Sequence, residues 1–360
     1  MARALRNSGP DFEYGSPLAP VNEPASPTLH RSRASRVAPV FISGDPAPSR
    51  RVLLFFIDGL GVGTDEPDVN PLASGDFPTL TLTASRQPAS RSGLVPVIAH
   101  GVDASLGVPG LPQSATGQTS ILTGVNAAAV MGRHVSGFPG PTLRTVLAEH
   151  SILKTIREAG RSAAFLNAYG TTFFQTEPSR RRLSATSLAT LASGSPFRTF
   201  EDLIEGRAVV HDLTHWRMRE RGYDIPLRTP EEAGAIIAEQ AMLQDFSLFE
   251  YFETDRAGHD QDVARARQCL SDLDRALEAV LARADLERLA VIVVSDHGNV
   301  EDGRVRTHTL NPAHFALWGS WAPRRAPERL TDVAALCFEA LGLPGGAPGG
   351  PSGQTATSAA

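Results

Sequence analysis

The sequence LAVIVVSDHGNVED at residues 289–302 begins with six apolar residues and then presents a serine, an acid and a histidine. An uninterrupted apolar run of this length is typical of a strand that is buried on both faces of a parallel sheet. Asp296 and His297 are adjacent and cannot share one strand face, so the chain must turn there, and Gly298 permits the turn. The segment therefore predicts a buried strand that delivers polar side chains at its carboxyl end.

Two other segments repeat this pattern of an apolar run that ends at an acid. Arg51–Ile57 leads to Asp58, and Ser247–Phe252 leads to Glu-Thr-Asp255. From Asp262 to Arg283, apolar residues recur mostly three or four positions apart, which predicts an amphipathic helix between two strands. Strand, helix and strand in this order predict a right-handed crossover and a mostly parallel sheet. Because ligands bind beyond the carboxyl ends of parallel strands, we expect these acids at a ligand site.

Composition and charge exclude several classes of protein. The chain has 360 residues, of which 41% are hydrophobic and 20% charged, enough for a large buried core. A formal net charge of -5 gives no electrostatic reason to expect nucleic acid or an anionic membrane as a partner. No segment approaches the roughly 18 consecutive apolar residues of a membrane span, and the N-terminus lacks an apolar signal region, so we expect a cytoplasmic protein. Cys269 and Cys337 lack paired metal-type spacing and are expected to be packing residues.

The domain organisation is predicted from changes in composition along the chain. Residues 1–48 are rich in Pro, Ser and Arg, and residues 346–360 in Gly, Pro, Ser, Thr and Ala, so both are expected to be disordered. Residues 49–130 and 241–345 carry the strand patterns and are predicted to form one discontinuous α/β core. The intervening residues, 131–240, differ in texture and are predicted to form a smaller inserted cap domain.

Three clusters of oxygen and nitrogen side chains lie at or after the predicted strand ends. They comprise Asp58, then Asp255 with His259, then Asp296 and His297 with His308. Carboxylates and imidazoles without thiolates suit Zn²⁺ or Mn²⁺. Each piece alone has an ordinary explanation, since an Asp-Gly pair usually marks a turn and a lone histidine is common in loops. Their joint occurrence favours a metal site.

A candidate nucleophile lies in LPQSATGQTSILTG at residues 111–124. A hydroxyl at the start of a helix would lie among unsatisfied backbone amides, whose partial positive charge favours an alkoxide and an incoming phosphate. Ser114 is the first candidate and Thr116 the reserve. The structural alternative is that one of these hydroxyls only caps the helix.

Five motifs carry a resemblance to a known family. They are FIDGLG at 56–61, QSATGQTSILTG at 113–124, DRAGH at 255–259, SDHGNVED at 295–302 and THTLNP at 307–312. In these motifs and in their order, the chain resembles the alkaline phosphatase superfamily. Within it, the chain is similar to the metalloenzyme branch that contains cofactor-independent phosphoglycerate mutase and phosphopentomutase. The resemblance implies an alkaline-phosphatase-like core, with a mostly parallel sheet flanked by helices and a cap insertion.

The resemblance also implies the roles of individual residues. One divalent ion, Mn²⁺ or Zn²⁺, would be bound by Asp58, Ser114, Asp296 and His297, and a second by Asp255, His259 and His308. Ser114 aligns with the nucleophile of the family. The mutases often have a histidine after the glycine that corresponds to Gly117, whereas this chain has Gln118, so the nucleophile loop departs from the pattern there.

The implied reaction is phosphoryl transfer through a phosphoserine on a small phosphorylated metabolite. Transfer to water makes the protein a phosphatase, and transfer to a substrate hydroxyl makes it a phosphomutase. The alternatives are hydrolysis of another tetrahedral anion ester, such as a sulfate, phosphonate or phosphodiester, or a metal-binding scaffold without catalysis. Candidate substrate contacts are Arg133, which suits a bidentate phosphate clamp, His134, and Arg180 to Arg182, for which a solvated face is the competing explanation. The sequence carries no signal for the oligomeric state.

Overall fold

A computed structural model describes residues 50–177 and 181–344. The predicted disordered segments at 1–48 and 346–360, and Arg180, lie outside the described residues. The strands of the described residues are β1 (Arg51–Ile57), β2 (Ile98–Val102), β3 (Ala163–Phe165), β4 (Phe246–Tyr251), β5 (Leu289–Ser295) and β6 (Ala313–Trp318). The helices are α1 (Ser114–Thr123), α2 (Ala127–Met131), α3 (Pro141–His150), α4 (Ile152–Glu158), α5 (Thr171–Gln175), α6 (Ala185–Ser193), α7 (Phe200–Ile204), α8 (Trp216–Glu220), α9 (Pro230–Ala241), α10 (Glu253–Asp260), α11 (Val263–Arg283) and α12 (Asp332–Ala340).

The strands form one sheet in the order β2-β6-β5-β1-β4-β3. β1 pairs in parallel with β4 and β5, and β3 pairs in parallel with β4. β6 is antiparallel to β5 and to β2, so it runs against the other five. The predicted α/β fold with a mostly parallel sheet flanked by helices is therefore confirmed.

Both faces of the sheet are covered, which explains the uninterrupted apolar run of β1. Val52, Leu54 and Phe56 belong to one hydrophobic core and Leu53 to the core on the opposite face, and all are buried. The first core includes residues of α1, α4, α6 and α12, and the second includes residues of α9 and α11. Each fully buried Leu, Val or Phe side chain contributes about 1.5–3 kcal/mol, so neither face of this strand can turn to solvent.

For the elements beside the site, most of the predicted first and last residues agree with the observed ones to within one residue. β1 has the predicted bounds, and α11 follows Asp262, which caps the helix by accepting from the amide of Arg265. β4 ends at Tyr251, one residue earlier than predicted, because Phe252 leaves the extended conformation (φ -129°, ψ 9°) and leads into α10. Val263 is 55% exposed, so it lies outside the apolar face that the periodicity assigned to it.

The segment predicted as a cap, residues 131–240, contributes in part to the central layers. β3 extends the sheet beside β4, and α9 packs closely on α11, where a Cβ at Gly234 would lie 2.2 Å from the carbonyl oxygen of Ala276. A small separate core, which includes Leu203, Val210 and Met218, lies within the same segment. The boundaries of an inserted cap stay a prediction.

The two cysteines are packing residues, as predicted. Cys269 on α11 and Cys337 on α12 are both free and buried. Burial raises the pKa of the Cys269 thiol to about 11, so it is not a reactive thiolate at neutral pH. Among the helices of the described residues, none is both long enough and apolar enough to cross a membrane.

His314 makes the stability of the fold dependent on pH. Its backbone N–H donates to Leu60 O at 3.0 Å and its Nε2 lies 3.1 Å from Leu80 O, while burial lowers the pKa of the imidazole to about 4. The folded pKa is below the unfolded value, so His314 stabilises the fold above pH 6.5, and this contribution is lost as the pH falls towards 4. In His314→Gln, we expect the loss of unfolding free energy between pH 7 and pH 5 to be smaller by about 2 kcal/mol. Urea unfolding at both pH values measures this difference, and equal losses in both proteins would contradict it.

Candidate metal centre

The carboxyl ends of β1, β4 and β5 coincide at one edge of the sheet. Ile57 of β1 is in register with Tyr251 of β4 and with Ser295 of β5. Asp58 and Asp296 follow their strands directly, and α10 begins two residues after β4. Three strands in equal register thus bring side chains about 240 residues apart in sequence to one place, as predicted from the parallel arrangement.

The first group of candidate ligands consists of Asp58, Asp296 and His297, with Ser114 beside them. His297 Nε2 lies 3.2 Å from Asp58 Oδ1, 3.5 Å from Asp296 Oδ2 and 3.0 Å from Ser114 Oγ. The side chains of Asp296 and His297 are fully buried, and that of Asp58 is 11% exposed. Four nitrogen and oxygen atoms from three separate segments therefore converge on one point.

The spacing in this group fits a divalent cation. Asp58 Oδ1 and Asp296 Oδ2 are buried and make no hydrogen bond within the described residues, although each is a strong acceptor. Ligands at about 2.1 Å from a tetrahedral cation lie about 3.4 Å from one another, close to the observed separations. Carboxylate oxygens that make no hydrogen bond and lie at this spacing from an imidazole nitrogen are the kind of ligand set that Zn²⁺ and Mn²⁺ prefer.

The second group consists of Asp255, His259 and His308. Asp255 Oδ2 lies 3.4 Å from His259 Nε2, Asp255 Oδ1 lies 3.4 Å from His308 Nε2, and the two Nε2 atoms are 3.2 Å apart. Asp255 and His259 are both on α10, so their spacing of four residues places them one helical turn apart. The His259 side chain is 45% exposed, so this group opens to solvent.

The imidazole rings of the second group are oriented by backbone carbonyls. His259 Nδ1 lies 2.6 Å from Arg306 O, and His308 Nδ1 lies 2.7 Å from Pro112 O. A proton on Nδ1 that is donated to a carbonyl leaves Nε2 with its lone pair, which is the tautomer that binds a metal. Pro112 precedes α1 by two residues, so the contact of His308 with its carbonyl also links the second group to the start of that helix.

In the first group, burial and neighbouring carboxylates raise the pKa values of the two acids. Burial raises the pKa of Asp58 to about 7, and the carboxylates of Asp296 and Asp255 act in the same direction. Burial likewise raises the pKa of Asp296 to about 6. Burial opposes charge on His297, but the carboxylates of Asp296 and Asp58 outweigh it and raise the pKa of that imidazole to about 10. The raised pKa values mean that these side chains hold protons near neutral pH. A divalent cation that bound here would displace them, as is usual when metal binds to protein ligands.

Asp255 in the second group has a different balance. Burial acts to raise its pKa, but hydrogen bonds from His259 and His308 outweigh burial and hold the pKa well below its usual range. The hydrogen bond to Asp255 raises the pKa of His259 to about 9. In the metal-free chain, Asp255 is therefore a stabilised anion, whereas Asp58 and Asp296 repel each other.

The structure places Ser114 and Thr116 in different environments. Ser114 is the first residue of α1, and Gln113 occupies the N-cap position without a side-chain cap. The Thr116 hydroxyl donates to Gln113 O and accepts from the amide of Val135, so its hydrogen bonds serve the local fold. The Ser114 hydroxyl contacts His297 instead of a helix amide, so the capping alternative does not describe it. Gly117 packs against the backbone at Asp296, since a Cβ at Gly117 would be 2.9 Å from Asp296 O.

Several residues that support the ligands were not predicted. Gln118 Nε2 donates to Asp58 Oδ2 at 3.0 Å, and Asn299 Nδ2 donates to Asp255 Oδ1 at 2.7 Å. Gln118 follows Ser114 by one helical turn, and this spacing was the only signal that it could face the site. Glu250 is buried at the end of β4, where burial raises its pKa to about 7 and Thr186 donates a hydrogen bond to it.

Of the predicted substrate contacts, those that the structure describes make no hydrogen bond to either ligand group. Arg133 is exposed, and His134 Nε2 lies 3.1 Å from Val108 O. Arg181 donates to the carbonyl oxygens of Thr176 and Phe174, and the Arg182 guanidinium lies 5.8 Å from the ring centre of Phe138. Substrate contact by these residues stays a prediction.

Comparison with known proteins supports the sequence resemblance over part of the chain. Residues 221–344 match the Metalloenzyme superfamily. The 2,3-bisphosphoglycerate-independent phosphoglycerate mutase of Ehrlichia canis (strain Jake) is 29% identical over 128 residues, 33% of this chain and 26% of that protein. The corresponding mutase of Ruegeria pomeroyi is 33% identical over 108 residues, 28% of this chain and 21% of that protein. The chain thus spans about a quarter or less of the length of these relatives.

Among solved structures, the PH0037 protein of Pyrococcus horikoshii aligns with 82% of this chain and 98% of its own, at 15% identity and a TM-score of 0.49. With a TM-score below 0.5, this similarity does not bear on the family of the chain. The resemblance to a family rests on the sequence matches and on the two ligand groups. Over residues 221–344 the chain is therefore similar to the Metalloenzyme superfamily, and part of it resembles the 2,3-bisphosphoglycerate-independent phosphoglycerate mutases.

Proposed function

We propose that the protein is a metal-dependent phosphoryl-transfer enzyme that acts on a small phosphorylated metabolite through a phosphoserine at Ser114. The observation that carries the proposal is the position of Ser114 Oγ, 3.0 Å from His297 Nε2 at the first residue of α1. Asp58, Asp296 and His297, with the Ser114 hydroxyl, would hold one divalent ion. Asp255, His259 and His308 would hold the other.

When bound, two divalent ions supply polarisation of the phosphoryl oxygens and a lower pKa for the attacking hydroxyl. Ser114 supplies the nucleophile: a bond forms between its Oγ and phosphorus while the bond from phosphorus to the leaving oxygen breaks, and the hydroxyl proton is released. α1 directs its N-terminal end, with its partial positive charge, at the phosphoryl group. Gln118 holds Asp58 through Oδ2, which leaves Oδ1 directed at the ligand group.

The group that attacks the phosphoserine in the second step determines whether the protein is a phosphatase or a phosphomutase. If water attacks the phosphoserine, the protein is a phosphatase, and if a substrate hydroxyl attacks it, the protein is a phosphomutase. The exposure of His259 favours the phosphatase, because a mutase must exclude water while the intermediate persists. The donor set of carboxylates and imidazoles supports Mn²⁺ or Zn²⁺ as the ions. A cytoplasmic location and the absence of a nucleic-acid or membrane partner stay predictions from the sequence.

A panel of phosphorylated metabolites tests the proposal directly. The protein is stripped with a chelator and reconstituted with Mn²⁺ or Zn²⁺, and each substrate is assayed for released phosphate and for an isomeric product. We expect turnover of at least one phosphomonoester with metal and none after chelation, because the proposed reaction needs divalent ions to polarise the phosphoryl oxygens and to lower the pKa of the Ser114 hydroxyl. Phosphate release identifies a phosphatase and isomer formation a mutase. Bound metal without turnover on a broad panel would instead support a metal-binding scaffold.

A further inference from the structure

A buried carboxylate, Glu301, lies behind the two ligand groups and takes no part in the proposed chemistry. Its side chain is 1% exposed and accepts four hydrogen bonds. Oε2 accepts from the amides of Gly61 at 2.9 Å and Asn299 at 2.7 Å. Oε1 accepts from Thr309 Oγ1 at 2.5 Å and from Asn311 Nδ2 at 3.0 Å. All four partners donate to the carboxylate, and two of them are backbone amides that can only donate, so the arrangement suits a side chain with four acceptor positions.

The four donors belong to the loops that carry the ligands. Gly61 is in the loop after β1, three residues beyond Asp58, and Asn299 is in the loop after β5, two residues beyond His297. Thr309 and Asn311 lie in the loop that carries His308. Asn299 in turn donates to Asp255, so this network reaches a fourth ligand-bearing segment. One carboxylate therefore connects every segment that contributes a carboxylate or imidazole to the two groups.

The packing around Glu301 shows that the backbone has been brought close to this carboxylate. A Cβ at Gly61 would lie 2.5 Å from Glu301 Oε1, and a Cβ at Gly298 would lie 2.3 Å from the same atom. Gly298 directly follows His297, and its carbonyl accepts from the amide of Thr309. A Cβ at either position would displace the Glu301 carboxylate from its present place, so glycine at both positions allows the two ligand loops to contact its oxygens.

We propose that Glu301 is the positioning residue for both metal sites, which it serves by holding the three ligand loops at one spacing without touching either ion. The inference rests on the proposed function, since it assumes that the two groups bind metal. Outer hydrogen-bond partners of metal ligands commonly change metal affinity about 10- to 100-fold when replaced. Glu301 differs from a usual outer partner because it acts on both sites at once.

Glu301→Gln tests the inference with nearly unchanged shape. The amide carries no negative charge, so the hydrogen bonds from the Gly61 and Asn299 amides weaken. Its NH₂ also places a donor where the carboxylate accepts from Thr309 and Asn311. Titration of the metal-free protein with Mn²⁺, by calorimetry or against a coloured chelator, should show affinity about 10- to 100-fold weaker at both sites. Unfolding in urea reports the accompanying loss of stability.

Asp274→Asn is the matched control. Asp274 is also a buried carboxylate that accepts hydrogen bonds from two backbone amides, those of Thr79 and Leu80, and it pairs with Arg91. None of these partners lies in a ligand loop. We expect this variant to lose stability and keep its Mn²⁺ affinity. Unchanged affinity in folded Glu301→Gln would overturn the inference, and so would an equal loss of affinity in both variants.

A milder variant keeps the test decisive if Glu301→Gln does not fold. Thr309→Val preserves shape and removes a single donor to Oε1, and we expect Mn²⁺ affinity about 2- to 10-fold weaker, the equivalent of one net hydrogen bond. Unchanged affinity in this variant would then overturn the inference. Failure of the wild-type protein to bind Mn²⁺ or Zn²⁺ is a different result, because it refutes the proposed function itself.

Discussion

Ser114→Ala should lower kcat by at least about 10³-fold on any substrate that the wild-type protein turns over. The substitution removes the proposed nucleophile and leaves the carboxylates and imidazoles of both ligand groups in place. Ser114 Oγ makes its hydrogen bond to His297 and not to a helix amide, so the loss of the hydroxyl should cost little stability. The variant should therefore remain folded and keep its metal content, which separates loss of the nucleophile from loss of the site.

Thr116→Val is the comparison that decides between the two hydroxyls. Thr116 uses its hydroxyl within the helix start, with Gln113 and Val135, so we expect a loss of about 1 kcal/mol of unfolding free energy and little change in kcat. Mass spectrometry of acid-quenched enzyme should find phosphate on the peptide that contains Ser114. Full turnover in Ser114→Ala together with an inactive Thr116→Val would transfer the role to Thr116.

The parts of the fold that the sequence predicted are those buried on both faces. β1 is apolar from residue 52 to 57 and β5 from residue 289 to 294 because each has a core on either side, and that pattern is visible without any knowledge of neighbours. β3 has three residues, and β2 is only partly buried at an edge of the sheet, so neither carries an uninterrupted apolar run. The direction of β6 could not be predicted, because the apolar pattern of a buried strand is the same whether the strand is parallel or antiparallel to its neighbour.

The sequence predicted the candidate ligands better than their support. Asp58 follows its apolar run directly and Asp296 follows one residue later, so the parallel direction of β1 and β5 is enough to bring both to one edge of the sheet. The hydrogen bond from Gln118 to Asp58 joins residues 60 positions apart on a helix and a strand end, and no local pattern encodes it. Glu301 is similar, because its role depends on three loops that meet only in the folded chain.

Asp296→Asn should have opposite effects on stability in the absence and presence of metal. At pH 8, Asp58 and Asp296 are both ionised. Burial raises the pKa of both carboxyls and their repulsion adds to the rise at Asp58, while the attraction of His297 offsets only part of these effects. A neutral amide of the same shape relieves that repulsion, so the metal-free variant should unfold at the same or a higher temperature than the wild-type protein. With metal present the variant lacks an anionic ligand, so it should unfold at a lower temperature than the wild-type protein.

Metal content and turnover give the size of the effect. A site at one hundred times its Kd stabilises the folded chain by about 2.7 kcal/mol, and Asp296→Asn should lose most of this contribution from the first site. The proposal of two ions per wild-type chain predicts one ion in the variant, counted by elemental analysis after gel filtration. Turnover should fall at least about 10³-fold, because the remaining ion contacts neither Ser114 nor Asp58 in the proposed assignment.

Asp255→Asn is the matched variant, and it should behave differently without metal. Hydrogen bonds from His259 and His308 stabilise the Asp255 carboxylate, so its loss should lower the unfolding temperature of the metal-free protein and also remove the second ion. Thermal unfolding of both variants in a chelator and in excess Mn²⁺ therefore gives two distinct patterns. If Asp296→Asn lowers the unfolding temperature equally in both conditions, Asp296 serves the fold alone, and the first group does not bind metal.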